Sequence, residues 1–231
     1  MRKKGFFITL EGGEACGKST QMLLLENSPD WKNKNQERIF TRSPGGTRIA
    51  ETIRGILKFK FDAEPLSGRT ELLLFSACHA QMTDRLLQPA LERGAIVISD
   101  RFFDSTTVYQ GIARGLRPET AEEFNRFACG GLVPDLTLLL DLPAQEVMRR
   151  IRKRSEGANE KNGAPRNHGT APHQEDRFDS ESEAFHETVR RGFLNLARRE
   201  PERFRIINAA ESPDSVHRSI KEALRDGLDL F

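Results

Sequence analysis

Short apolar runs alternate along this chain with longer segments in which apolar positions recur every three or four residues. Five runs predict strands, at 6–11, 37–41, 95–99, 136–141 and 203–208. Ala95-Ile96-Val97-Ile98 and Leu136-Thr137-Leu138-Leu139-Leu140 are almost continuously apolar, as strands covered on both faces should be. Helical spacing falls near 18–27, 46–58, 68–92, 104–114, 118–129, 143–154, 180–199 and 212–226. Alternation of this kind predicts an α/β fold, a five-stranded parallel sheet with helices on both faces, within a single domain over 1–231. Ser155–Glu175 breaks the pattern with Gly157, Gly163, Gly169, Pro165, Pro172 and many polar residues. About 20 residues without periodicity inside a domain are functional or disordered, so a flexible lid is expected over roughly 150–177.

The segment between the first strand and the first helix adds chemistry. Gly12-Gly13-Glu14-Ala15-Cys16-Gly17-Lys18-Ser19, followed by Thr20, matches G-x-x-x-x-G-K-[ST]. Strand, glycine loop and helix in that order make a phosphate-binding loop and predict the P-loop NTPase fold. Converging backbone N–H groups and a helix N-terminus favour an anion. Lys18 would reach the β- and γ-phosphates of a nucleoside triphosphate, and the Ser19 hydroxyl would ligate Mg²⁺. Cys16, at a helix N-terminus, is either a thiol made reactive by that position or a passive small residue.

Composition mainly excludes. Thirty-six basic and 34 acidic residues leave a net charge of +2, so bulk charge points to neither nucleic acid nor a membrane surface. Cys16, Cys78 and Cys129 have no C-x-x-C spacing, which argues against a zinc site or disulfide framework and suits a reducing compartment. The apolar run after Arg2-Lys3-Lys4 is too short for a signal peptide or membrane span, and the expected location is the cytoplasm.

Ile96-Val97-Ile98-Ser99-Asp100-Arg101 narrows the class. Asp100, at the carboxyl end of a buried strand, lies where a second metal-organising carboxylate is needed. Arg101 beside it suits capture of a second phosphate group. A helix-capping Asp with a solvated Arg is the plainer alternative. Neither N-K-x-D nor a placed D-x-x-G is found, so a switch GTPase is not indicated.

These residues also carry a family resemblance. Phe7–Glu14, Thr41-Arg42-Ser43-Pro44-Gly45-Gly46-Thr47, Glu71–Ala77, Asp100–Gly111, Pro134–Asp141 and Asp176-Arg177-Phe178 together resemble the thymidylate kinases over essentially the whole chain. The resemblance implies transfer of the γ-phosphate of ATP to dTMP, and a homodimer formed through helices around 68–90 and 104–114. It further implies that Glu14 accepts a hydrogen bond from the deoxyribose 3′-hydroxyl. Arg101, Arg42 and Arg54 surround the acceptor phosphate, and Phe75 stacks on thymine. Gln110, Ser105 and Thr106 face the base edge, and Tyr109 crowds the 2′ position. Phe75 could instead be plain core, Tyr109 could pack under the loop, and Gln110 and Arg54 could be surface helix residues.

Two positions depart from the family pattern. His79 stands where an arginine usually reads a base carbonyl, so base selectivity could be weaker, sensitive to pH or restored by a water. Ser43 stands where bacterial members usually carry Glu. The phosphate loop has no arginine, and family members of that kind take the missing cation from the lid. Arg150, Arg154 and Arg152 are the candidates; Arg150 and Arg154 share one helical face, while Arg149 and Arg152 form a neighbouring pair. Arg166 and Arg177 are further lid cations. The alternatives are another nucleoside monophosphate kinase with relaxed base selectivity, or a catalytically silent nucleotide-binding protein.

Overall fold

Five parallel strands form one sheet in the order β2-β3-β1-β4-β5. The computed structural model describes residues 5–59, 61, 64–161 and 178–231. Strand β1 (Phe6–Glu11) lies at the centre between β3 (Ile96–Asp100) and β4 (Leu136–Asp141), with β2 (Arg38–Arg42) outside β3 and β5 (Phe204–Asn208) outside β4. Leu10 pairs with Asp100, and Arg42 with the same residue from the other side. That register places the residues following β1, Asp100-Arg101 and Arg42 at one carboxyl edge, where the strand order reverses and open α/β sheets bind ligands.

The alternation of side chains along each strand divides the core. Ile8, Leu10, Ile96, Ile98, Leu136 and Leu138 pack on one face with α1 (Lys18–Glu26), α7 (Ala144–Lys161) and α9 (Pro213–Leu228). Phe7 and Val97 face the opposite way, against α2 (Arg48–Lys58), α3 (Gly68–Met82) and α4 (Gln88–Glu92). Leu139 joins Val108, Tyr109, Val189 and Phe193 beneath α8 (Glu183–Arg199). The central strands are buried on both faces, which is why they read as apolar runs rather than as alternating ones.

Three predicted helical segments differ from the structure. The span 68–92 is interrupted by a π-helical turn at Thr83–Leu87, between α3 and α4. The span 104–114 begins as the short α5 (Phe103–Thr106) and continues as a π-helical segment, Thr107–Ala113. Such widened turns leave no mark in apolar spacing and frequently accompany functional sites. Helix α7 runs on to Lys161, through residues expected to be structureless. Glu156, Ala158, Glu160 and Lys161 are good helix formers, so propensity carries the helix past the apolar periodicity. The rest of the expected lid, including Arg166 and Arg177, lies outside the described residues. The remaining helix, α6 (Pro118–Ala128), packs on α3 and on Thr107–Ala113. Among the described residues no helix is long and apolar enough to cross a membrane.

Candidate active site

A cleft of about 500 Å³ opens at the carboxyl edge of the sheet, lined by the phosphate loop, the turn after β3, and parts of α2, α3 and α7. Its floor is the loop itself. Gly12 has φ +137°, and a Cβ there would stand 2.5 Å from the Leu140 carbonyl oxygen, so only glycine lets the loop lie against β4. Gly17 has φ +94° and begins α1 without a side-chain cap, leaving the first N–H groups of the helix for an anion. Lys18 is buried, and its ammonium donates to the carbonyl oxygens of Gly13 (2.7 Å) and Gly12 (3.2 Å) and to Cys16 Sγ (3.2 Å). The Cys16 thiol is thus a buried acceptor for Lys18. Glu14, Ala15, Ser19 and Thr20 complete this wall.

Ser19 Oγ donates to Asp100 Oδ2 at 3.3 Å, bringing together the two oxygen ligands expected for Mg²⁺. A hydroxyl and one carboxylate suit that ion, which keeps several waters and takes its remaining oxygens from phosphates. Among the described residues no cluster of three or more His, Cys, Asp or Glu side chains forms a closed metal cage.

Arg101 ties the loop to the acceptor half of the cleft. Its Nη1 donates to the Gly12 carbonyl (2.8 Å) and to Ser105 Oγ (3.0 Å). Its Nη2 donates to Glu14 Oε1 at 2.7 Å and to Tyr109 Oη at 3.3 Å, and Tyr109 in turn donates to Glu14 at 2.8 Å. Burial alone would raise the Glu14 carboxyl; the charges of Arg101 and Lys18 and the Tyr109 hydrogen bond outweigh it and bring the group down to about 2.

Arg42 reaches the same cleft, with both Glu51 carboxylate oxygens at 3.0 Å from Nη2. Arg54 lines the wall and donates to the Pro44 carbonyl at 2.7 Å. Phe75, half-buried on α3, lines the opposite side with His79, Ser105, Thr106, Tyr109 and Gln110. Gln110 donates its amide to Glu71 Oε1 at 2.5 Å, which fixes the way the carboxamide faces. Three cleft-lining polar atoms, His79 Nδ1, Ser43 Oγ and Thr106 Oγ1, are buried without a hydrogen-bond partner. Orphaned polar atoms gathered in one cleft call for a ligand.

His79 is 1% exposed, and burial pushes its imidazole down to about 3. It is therefore neutral at physiological pH, and the pH sensitivity considered for base selectivity has no titrating group at this position.

The lid arginines separate by helical face. Arg150 and Arg154 both line the cleft. Arg150 donates to the Ala15 carbonyl of the phosphate loop (3.3 Å) and to the Ala209 carbonyl (2.9 Å), while Arg154 pairs with Asp179. Arg149 points away, holding Glu146 through two bonds of 2.6 Å. Arg152 is exposed and lies outside the cleft lining.

Several contributors escape sequence reading. Glu51 and Glu71 orient Arg42 and Gln110, and only the fold brings these pairs together. Asp179 has no local signal. Glu11 did have one, since an acid ending an otherwise apolar strand must have buried partners.

The family model for thymidylate kinase matches residues 10–220. The chain belongs to the thymidylate kinase family. Curated thymidylate kinases include one from Protochlamydia amoebophila, 42% identical over 223 residues covering 96% of this chain and 93% of that one. Another, from Desulfovibrio desulfuricans, is 44% identical over 218 residues, covering 94% of each. The crystal structure of thymidylate kinase from Ehrlichia chaffeensis superposes with a TM-score of 0.66 at 26% identity, covering 96% of this chain and 99% of that one. Membership in the thymidylate kinase family and the sheet order together establish the P-loop NTPase fold.

Proposed function

We propose that this chain transfers the γ-phosphate of ATP to dTMP, giving ADP and dTDP. One observation carries the reading. A phosphate loop with its lysine and a second cationic cluster, Arg42, Arg54 and Arg101, share one cleft with an aromatic wall. A site for a single polyphosphate has no use for the second cluster, whereas a phosphate acceptor requires it.

The acceptor phosphate has a second pKa of about 6 and is mostly dianionic at neutral pH, so no strong general base is needed. The difficulty is bringing two anionic groups together. Lys18 leaves the loop carbonyls for the β- and γ-oxygens of ATP, and Arg101, Arg42 and Arg54 gather around dTMP. Ser19 and Asp100 would hold Mg²⁺, which would supply positive charge against that of the polyphosphate. Glu14 accepts from the 3′-hydroxyl, and Phe75 offers its face to the base. Arg150, with Arg154 one turn later, supplies the cation that the loop lacks, in a lid over roughly 150–177 whose closure excludes water.

A single domain, a cytoplasmic location and ATP and dTMP as partners, without nucleic acid or membrane, complete the reading. A homodimer is part of it, although not through 104–114. That segment is packed against α6 and α8 within the chain. Leu73 on α3 and Phe124 and Phe127 on α6 remain 53, 37 and 88% exposed, and we assign the pairing to the surface formed by these two helices.

A coupled ADP assay with dTMP, dUMP, dCMP, UMP and thymidine as acceptors tests the function. dTMP is expected to be preferred at least about tenfold. A stronger response to another monophosphate would favour the relaxed kinase suggested by His79, and no response to any would leave a silent nucleotide-binding protein.

A further inference from the structure

Glu11 ends β1 one residue before the phosphate loop, 0% exposed and absent from the cleft lining. Burial pushes its carboxyl up to about 8, and a buried carboxyl is costly unless its oxygens are satisfied. Here Oε1 accepts from the Phe102 N–H at 2.7 Å, and Oε2 accepts from the Ser105 hydroxyl at 2.6 Å. Both donors belong to the turn that begins at Arg101. Ser105 Oγ in turn accepts from Arg101 Nη1 at 3.0 Å. Arg101 itself has φ +70°, a conformation that non-glycine residues hold only when their surroundings impose it. The far side of the same turn is anchored by Arg203, which donates twice to Asp104 at 2.7 Å.

We infer that Glu11 is a positioning residue for Arg101, clamping the turn in its left-handed conformation so that the guanidinium points at the acceptor phosphate. One carboxyl oxygen holds the peptide N–H next to the strained residue, and the other holds the hydroxyl on which the guanidinium rests. With either contact gone, the backbone can relax to an ordinary φ and carry the guanidinium out of line. Glu11 touches no substrate and acts only through the arginine.

The inference rests on the dTMP kinase reading for its kinetic test. Glu11→Gln keeps the side-chain size and an acceptor for the Phe102 N–H, but turns an amide nitrogen, which cannot accept, toward the Ser105 hydroxyl. It is expected to lower kcat/KM for dTMP about 10- to 100-fold, the scale of a misplacement of about 1 Å. KM for ATP should stay within about twofold, since the loop's own N–H groups and Lys18 hold the donor. In an Arg101→Ala background the same substitution should have no further effect. Additive effects, unchanged dTMP kinetics in Glu11→Gln, or an equal rise in KM for ATP would each overturn the inference. Glu11→Asp, one methylene short of both donors, serves in its place with the same expectations if the glutamine variant does not fold. A crystal structure of the variant reads the clamp without any substrate. Arg101 is expected to leave positive φ, and an unmoved Arg101 would overturn the inference even if the acceptor proved to be another nucleotide.

Discussion

Glu14 and Arg101 meet at 2.7 Å, joining the phosphate loop to the edge of β3. One comes from the phosphate loop and one from the turn after β3, so the pair fixes the loop against the turn that carries Arg101. The Glu14 carboxyl lies at about 2 against an ordinary 4.5. A lowered carboxyl stabilises the fold above the unfolded value, and that contribution fades as pH falls from about 4.5 through about 2. At neutral pH it amounts to about 3 kcal/mol. Glu14→Gln is therefore expected to lose stability at pH 7 and much less at pH 3, measured by denaturant unfolding. Its KM for dTMP should rise about tenfold or more, with ATP little affected.

Lys18→Ala is expected to abolish transfer, because its ammonium, held at the Gly12 and Gly13 carbonyls, is placed to meet the β- and γ-phosphates. Arg150→Ala should lower kcat by about 10³, the scale of a cation acting in the transition state. Arg154→Ala should be weaker, since Arg150 reaches the phosphate loop at the Ala15 carbonyl while Arg154 pairs with Asp179, and Arg152→Ala should remain near the parent rate. Parent rates in both Arg150→Ala and Arg154→Ala would remove the lid cation from the mechanism.

His79 makes a prediction about pH. Its folded value of about 3 lies below the ordinary 6.5 because burial disfavours the imidazolium. Below pH 6.5 the unfolded chain takes up a proton that the folded chain refuses, so acidification favours unfolding by up to about 1.4 kcal/mol per pH unit. Stability of His79→Asn should fall less steeply between pH 6.5 and 4. A break in KM for dTMP between pH 6 and 8 that disappears in that variant would show instead that His79 titrates near neutrality.

The apolar surface on α3 and α6 predicts that Phe127→Asp shifts sedimentation toward a monomer. Phe127 is 88% exposed, so the melting temperature of the isolated subunit should hardly change.

Much of this molecule was legible in its sequence. The phosphate loop reads directly because its chemistry needs consecutive residues, Gly12 to Ser19. Asp100 and Arg101 read almost as directly, as charges ending an apolar strand. The central strands read as runs because both of their faces are covered. The π-helical segments were not legible, since one extra residue per turn hardly alters apolar spacing over seven positions. Nor were the partners of Arg42, Gln110 and Arg154. Glu51, Glu71 and Asp179 are common acidic residues on elements whose mutual placement only folding decides.

By itself the sequence determined the order of strands and helices, the triphosphate chemistry and the family, because each depends on local periodicity or contiguous motifs. The tertiary structure decided which cations face the cleft. Arg150 and Arg154 turn inward while Arg149 and Arg152 turn outward, because burial of Val147 and Ile151 against the sheet sets the rotation of α7. It also decided that His79 is neutral and that Glu11 stands behind Arg101, since burial and cross-strand contact exist only once the sheet has closed around them.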